Sequence, residues 1–172
     1  MSSLTYCEEE ITSFLRTEMP VLLARLDPNQ APAWGLMTPQ HMVEHLMGAV
    51  LLSVGHYHLP VSESPTYFDA ARVRLMSDAP FSPNTRNPRM PSTPGPLRLP
   101  SLAVAAATLL LEVDGFFNHF GQHPAAVPVH PLFGPLSFAE WRVFHFKHFG
   151  HHFLQFGLLA QSLLPRPSPN YA

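Results

Sequence analysis

The chain has 172 residues, with 10 Lys+Arg against 12 Asp+Glu and a formal net charge of −2. That length suits one domain, 1–172, with a sizeable core, and the charge offers no basic stripe for a phosphate backbone, which excludes nucleic acid as a direct ligand. The lone Cys7 excludes an internal disulfide and a thiolate metal cluster.

The residues Met1 to Glu10 lack the basic and apolar regions of a secretory signal. The longest apolar stretch, Leu102 to Leu111, is interrupted by Thr108 and is far short of the ~20 residues that span a bilayer. The expected location is therefore the cytoplasm, with no membrane partner.

Twenty prolines would forbid much regular structure if they were scattered. Instead they leave four windows free, 1–19, 40–59, 101–123 and 136–164, each with helical periodicity. In the first, Ile11, Phe14 and Leu15 share a face, and Val21, Leu22 and Leu26 extend that stripe beyond a kink expected at Pro20. The second opens on Thr38-Pro39, an N-cap hydroxyl followed by Pro at the first helical position, and carries Met42, Leu46, Val50 and Val54. The third starts at Pro100-Ser101 and carries Leu102, Ala106, Leu109, Leu110, Val113, Phe116, Phe117 and Phe120. The fourth starts at Ser137 with Glu140 three residues on, the capping-box pattern. Between the second and third lies a Pro-rich connection, about 60–100, in which Tyr67–Met76 is expected to form a short extra helix. No segment has a convincing strand period. The fold expected is all-α: a four-helix bundle with a long Pro-rich crossover between the second and third helices.

The fourth window holds the densest chemistry. His145, His148, His151 and His152 place four of the 11 histidines within eight residues. At ~100° per residue, His145, His148 and His152 fall within about 60° of one another, on the face that also carries Trp141 and Leu159, whereas His151 points roughly 100° away from His152. Histidines at i and i+4 can grip one ion. With His45 from the second helix, His148 and His152 complete a three-imidazole set of the kind bundles build from facing helices. Three neutral imidazoles leave a position open for water or substrate; they suit zinc, and nickel or iron on ligand type. His41, one turn before His45, is a candidate further ligand or a donor behind the ligands. His145 is a candidate to line the pocket or complete the ligand set, and His130, in the turn before the fourth helix, is a candidate to cap that turn or line the site. His56, His58, His119 and His123 fall at helix ends, where partial positive charge suits the dipole. His41-Met42-Val43-Glu44-His45 also matches the H-x-x-E-H protease pattern, a short motif that a His-rich chain meets by chance.

Two blocks carry a resemblance. One is Trp34-Gly35-x-Met37, then Met42-x-x-His45-Leu46. The other is His130-Pro131-x-Phe133-Gly134-x-Leu136 and Trp141, then His148-x-x-His151-His152-x-x-Gln155-Phe156-Gly157. In order and separation they resemble a bacterial branch of the DinB-like (DinB/YfiT) superfamily, over about a quarter of the chain. The resemblance implies a four-helix bundle holding a divalent metal, often zinc or nickel, through His45, His148 and His152, with His151 outside the ligand set. Trp141 and Gln155 are then motif residues of the pocket or of the groups behind the ligands. It also implies a metal-dependent thiol S-transferase type of enzyme, acting on a small-molecule substrate with a low-molecular-weight thiol. A metal-dependent hydrolase and a non-catalytic, stress-related binding protein with a structural metal remain the alternatives. Four protein ligands would favour a structural ion, and three plus an open position would favour catalysis.

Phe is used 13 times, and Phe116, Phe117, Phe120, Phe144, Phe146, Phe149, Phe153 and Phe156 encircle more than one face of their helices. A homodimer that buries the surplus face is the resulting expectation, unless the 60–100 connection covers it.

Overall fold

A computed structural model describes residues 7–61, 63–83 and 93–160. Residues 1–6 and 161–164 of the windows expected to be helical lie outside them. The described residues are mostly helical, 57% helix and 3% strand, in five helical rods and a two-stranded ribbon.

The first rod runs from α1 (Glu8–Ser13) through a π-helical turn (Phe14–Glu18) into α2 (Met19–Leu23). The wide turn sits just ahead of Pro20. Proline has no N–H to donate to the carbonyl four residues back, and its ring crowds that carbonyl. The turn also shifts the phase of the apolar stripe. Ile11, Leu15, Met19 and Leu23 recur every fourth residue and are buried with Leu26, while Val21 is 63% exposed. The stripe expected through Val21 and Leu22 is thus moved by one residue to Leu23.

α3 (Pro39–Ser53) starts at the Thr38 cap, as the sequence signals indicate. The crossover contains α4 (Pro65–Met76), capped by Ser64, two residues longer at its start than the helix expected there. α5 (Leu102–Gln122) follows the Ser101 cap and lays Ala105, Leu109, Val113, Phe116 and Phe120 into the core. Among the described residues it is the one helix long and apolar enough, by length and composition, to cross a membrane, with mean hydropathy 1.2. The run read over Leu102–Leu111 is thus half of a longer apolar helix that packs mainly along α3. A ribbon of β1 (Val129–His130) and β2 (Gly134–Pro135), antiparallel, leads into α6. Strands of two residues are too short to show a period.

α6 (Phe138–Gln155) opens on the expected capping box: the Ser137 amide donates to Glu140 at 2.8 Å and the Glu140 amide to Ser137 Oγ at 3.4 Å. It ends nine residues before its window does. The Gly157 amide donates to Leu154 O at 3.1 Å and the Leu158 amide to Phe153 O at 2.8 Å. Gly157, with φ 65°, supplies the left-handed turn that this paired closure needs. Leu159 therefore lies beyond the helix rather than on its histidine face.

α6 is buried from Trp141 to Gly150 without a break. Phe144, Phe146, Phe149, Phe153 and Phe156 are buried inside one chain, as are Phe116 and Phe120, and only Phe117 is half-exposed. The rest of this chain, including Phe81 of the crossover against Phe144, covers them. These phenylalanines leave no surplus face, so the argument for a homodimer loses its premise.

Glu44 ties the returning crossover to α3. Its carboxylate accepts from the Arg98 amide at 2.9 Å, the Leu99 amide at 3.1 Å and Gln40 Nε2 at 3.0 Å. Burial alone would raise its pKa; these donors and the Arg98 charge bring it below the ordinary value. Replacing Glu44 with Ala strands two amides, and we expect a loss of about 2 kcal/mol, read from the denaturant midpoint. An unchanged midpoint would show that water substitutes freely for the carboxylate.

Candidate metal centre

α3 and α6 face each other where His45, His148 and His152 meet. His45 Nε2 stands 2.9 Å from His148 Nε2, and His148 Nε2 stands 3.2 Å from His152 Nε2. One nitrogen from each residue lies within 4.8 Å of the others, close enough to hold a metal ion. For comparison, a tetrahedral ion with bonds of about 2.0–2.1 Å sets its nitrogens roughly 3.3 Å apart. His148 and His152 are buried and His45 is half-buried.

Burial pushes the His45 imidazole down to about 4 and that of His152 to about 3, in each case reinforced by neighbouring imidazoles. His148 is held well below its usual value by burial and then by His45, His152, His145 and His151. All three are neutral at pH 7, the form in which imidazole binds metal.

Their tautomers follow from the partners. Gln155 Nε2 donates to Trp34 O at 2.7 Å, which turns Gln155 Oε1 toward His152 Nδ1 at 2.7 Å. His152 Nδ1 therefore carries the proton, and its Nε2 presents a lone pair to the cluster. A neutral His148 has at most one proton at Nε2, which can be shared well with only one neighbour. If that proton is on Nδ1 instead, the His148 and His152 lone pairs oppose each other. A proton cannot satisfy both short contacts at once, whereas a cation between the three nitrogens does. His148 Nδ1 is buried without a partner among the described residues, so the support that His152 receives from Gln155 has no counterpart there.

The other candidate residues sit elsewhere. His41 belongs to the α3 cap, not to the ligand cluster: its Nδ1 stands 2.8 Å from Thr38 Oγ1 and its Nε2 donates to Gly95 O at 3.0 Å. Here an imidazole fills the place that Glu or Gln takes in a capping box. His145, one turn before His148, donates to Ser53 Oγ at 3.0 Å and stacks on Trp141 at 5.6 Å. Its Nδ1 is also buried without a partner among the described residues. His130 Nδ1 accepts from the Leu132 amide at 3.1 Å, and its ring packs on Phe144 and Phe133. Trp141 is fully buried and donates to Pro128 O at 3.2 Å. His130, His145 and Trp141 thus pack together toward the start of α6, each with its own protein partner. His56 and His58 lie past the end of α3, and His119 and His123 lie at the end of α5.

His151 points away from the cluster, with Nδ1 donating to Phe81 O at 3.1 Å. Phe81 stands 6.5 Å from the His148 ring, and Trp34 stands 5.5 Å from that of His151. Neither aromatic was expected at the site from sequence. Phe81 carries no local signal, whereas Trp34 could have been found through Gly35 beside it. The carboxylate of the H-x-x-E-H match is turned onto the crossover amides, and His41 is engaged in the cap, so these three side chains do not converge.

No further His, Cys or carboxylate joins the three among the described residues. Residues 1–6, 62, 84–92 and 161–172 contain no His, Cys, Asp or Glu at all. The chain matches no protein-family model, no curated protein and no solved structure.

The buried imidazoles set a pH dependence. Burial also holds His130 and His145 down to about 3. A histidine whose folded pKa lies below its unfolded value of about 6.5 stabilises the fold above that value, and the contribution is lost as pH falls toward the folded pKa. In chelator-treated protein the thermal midpoint should be level above pH 7 and fall progressively between about pH 6.5 and pH 4. The fall should be shallower in His145→Gln. A midpoint that is flat across this window would mean that the imidazoles are not neutral and buried.

Proposed function

We propose that the chain is a divalent-metal protein of the DinB-like kind, a bundle of four long rods with α4 lying in the crossover. The ion is held by the Nε2 atoms of His45, His148 and His152. The observation that carries this reading is the pair of short Nε2 contacts to His148, which no arrangement of protons on neutral rings satisfies. Zinc or nickel suits three imidazoles best, and iron is compatible with the same donors.

The donor count favours an open site. With three protein ligands and no carboxylate or thiolate to add, a fourth position is left for water or substrate, which is the pattern of catalytic rather than structural ions. A bound ion would supply a Lewis acid that lowers the pKa of a thiol or water beside it. The chain's own part is to hold three neutral donors in place and to set Trp34, Phe81 and His151 at the edge of the cluster. We read the activity as thiol transfer to a small electrophilic substrate, with a low-molecular-weight thiol as co-substrate and the cytoplasm as its setting. No observation favours the hydrolase alternative over it.

Metal analysis tests the ligand set. Wild-type protein should carry about one ion per chain, and His45→Ala, His148→Ala and His152→Ala should each bind roughly tenfold more weakly or worse. His151→Ala and His41→Ala should keep the ion. Near-stoichiometric metal in both His148→Ala and His152→Ala would sink the reading. A panel of thiols and electrophiles tests the reaction class: electrophile consumption should need both the thiol and His152. Thiol-independent ester cleavage would replace transfer with hydrolysis.

A further inference from the structure

Gln155, in the last turn of α6, is bonded once to His152 of the same helix and twice to the segment that leads into α3. Gln155 Oε1 meets His152 Nδ1 at 2.7 Å, Gln155 Nε2 donates to Trp34 O at 2.7 Å, and the Gln155 carbonyl accepts from the Ala33 amide at 2.8 Å. Gln155 is 4% exposed, so water does not substitute for these partners. Gly35 has φ +78°, and a Cβ placed there would stand 3.0 Å from Gln155 Nε2. The segment thus lies as close to the amide as a backbone without a side chain permits. Trp34 stands half-buried against His151 at the edge of the histidine cluster.

We propose that Gln155 is a positioning residue that couples ion binding at His45, His148 and His152 to the seating of the 33–35 segment and of Trp34. The proposal rests on the metal reading above. Withdrawing electron density from His152 Nε2 makes its Nδ1–H a stronger donor to Gln155 Oε1. Polarising that amide makes its N–H a stronger donor to Trp34 O, since bonds in a chain reinforce one another. The coupling is reciprocal: a well-seated 33–35 segment holds the amide, the amide holds the imidazole, and affinity for the ion rises. Trp34 is then an edge of the pocket that is set firmly when the site is loaded.

Zinc is the probe, because it does not itself quench tryptophan by electron transfer. Its affinity is measured by chelator competition, with acrylamide quenching of tryptophan followed in the same samples. In wild-type protein zinc should reduce the quenching, and Trp34→Phe should remove this response and so assign it to Trp34 rather than Trp141. Gln155→Glu keeps an acceptor for His152 Nδ1 but puts an oxygen against Trp34 O. It should hold zinc within about threefold of wild type with the Trp34 response gone, whereas Gln155→Leu should bind roughly tenfold more weakly and give no response. Gly35→Ala, which presses on the same amide from the loop side, should weaken both readouts without changing any residue of α6. Zinc binding with a silent Trp34, or a full response in Gln155→Leu, overturns the coupling and leaves the metal reading standing. Wild-type protein that binds neither zinc nor nickel overturns both.

Discussion

Ten consecutive residues of α6, Trp141 to Gly150, are removed from water on every side, although they include Arg142, His145, Lys147 and His148. A polar group buried without a partner costs several kcal/mol, so the elements packed around α6 have to present matching atoms. Arg142 takes Glu8 at 2.7 Å and Thr12 at 3.2 Å, which fixes α1. His145 takes Ser53 at the end of α3. Lys147 donates to Ser77 O at 2.6 Å and Ala79 O at 2.9 Å, which fixes the crossover just after α4. The neighbours of α6 are therefore placed by its polar residues as well as by apolar contact. Arg142 Nε, His145 Nδ1 and His148 Nδ1 are left without a partner among the described residues, and His148 is the member of this series whose Nε2 also makes two short imidazole contacts, with a spacing close enough to hold a metal ion.

The same crossover is held on both flanks of the cluster. Lys147 and His151 of α6 hold residues 77–81, while Gln40, His41 and Glu44 of α3 hold residues 95–99 through Leu99 O, Gly95 O and the Arg98 and Leu99 amides. Residues beside the three histidines in sequence thus hold the crossover in place. That role explains why the local motif around Glu44 misleads. All five residues of the H-x-x-E-H match sit on one helix, but the helix turns the carboxylate and one imidazole toward the crossover.

Much of the helical layout was legible because proline and caps are local signals. Thr38-Pro39, Ser101 and Ser137 each start a helix where the sequence says one should start. The end of α6 was less legible, since Leu158 and Leu159 prolong the apolar pattern and only Gly157 marks the stop. The phase of the first rod was hidden because a π-helical turn inserts an offset that a fixed period of 3.6 cannot represent. At the site, the angular spacing on one helix brought His148 and His152 together, but it grouped His145 with them, since angle carries no information about depth along the axis. Which partner each imidazole meets depends on contacts such as His145 with Ser53, 92 residues apart. No local pattern encodes these.

The two nearest ring nitrogens of the cluster, those of His45 and His148, are 103 positions apart along the chain. An ion gripped by both would close a loop of that length, as a disulfide does, in a chain whose single cysteine cannot make one. In the chain-entropy picture a closure spanning about 100 residues restricts the unfolded ensemble by roughly 4–5 kcal/mol, less whatever affinity the unfolded chain keeps for the ion. The histidine cluster would then act as a removable cross-link between the two halves of the molecule, and the resistance of the whole fold to unfolding would follow the free concentration of one metal.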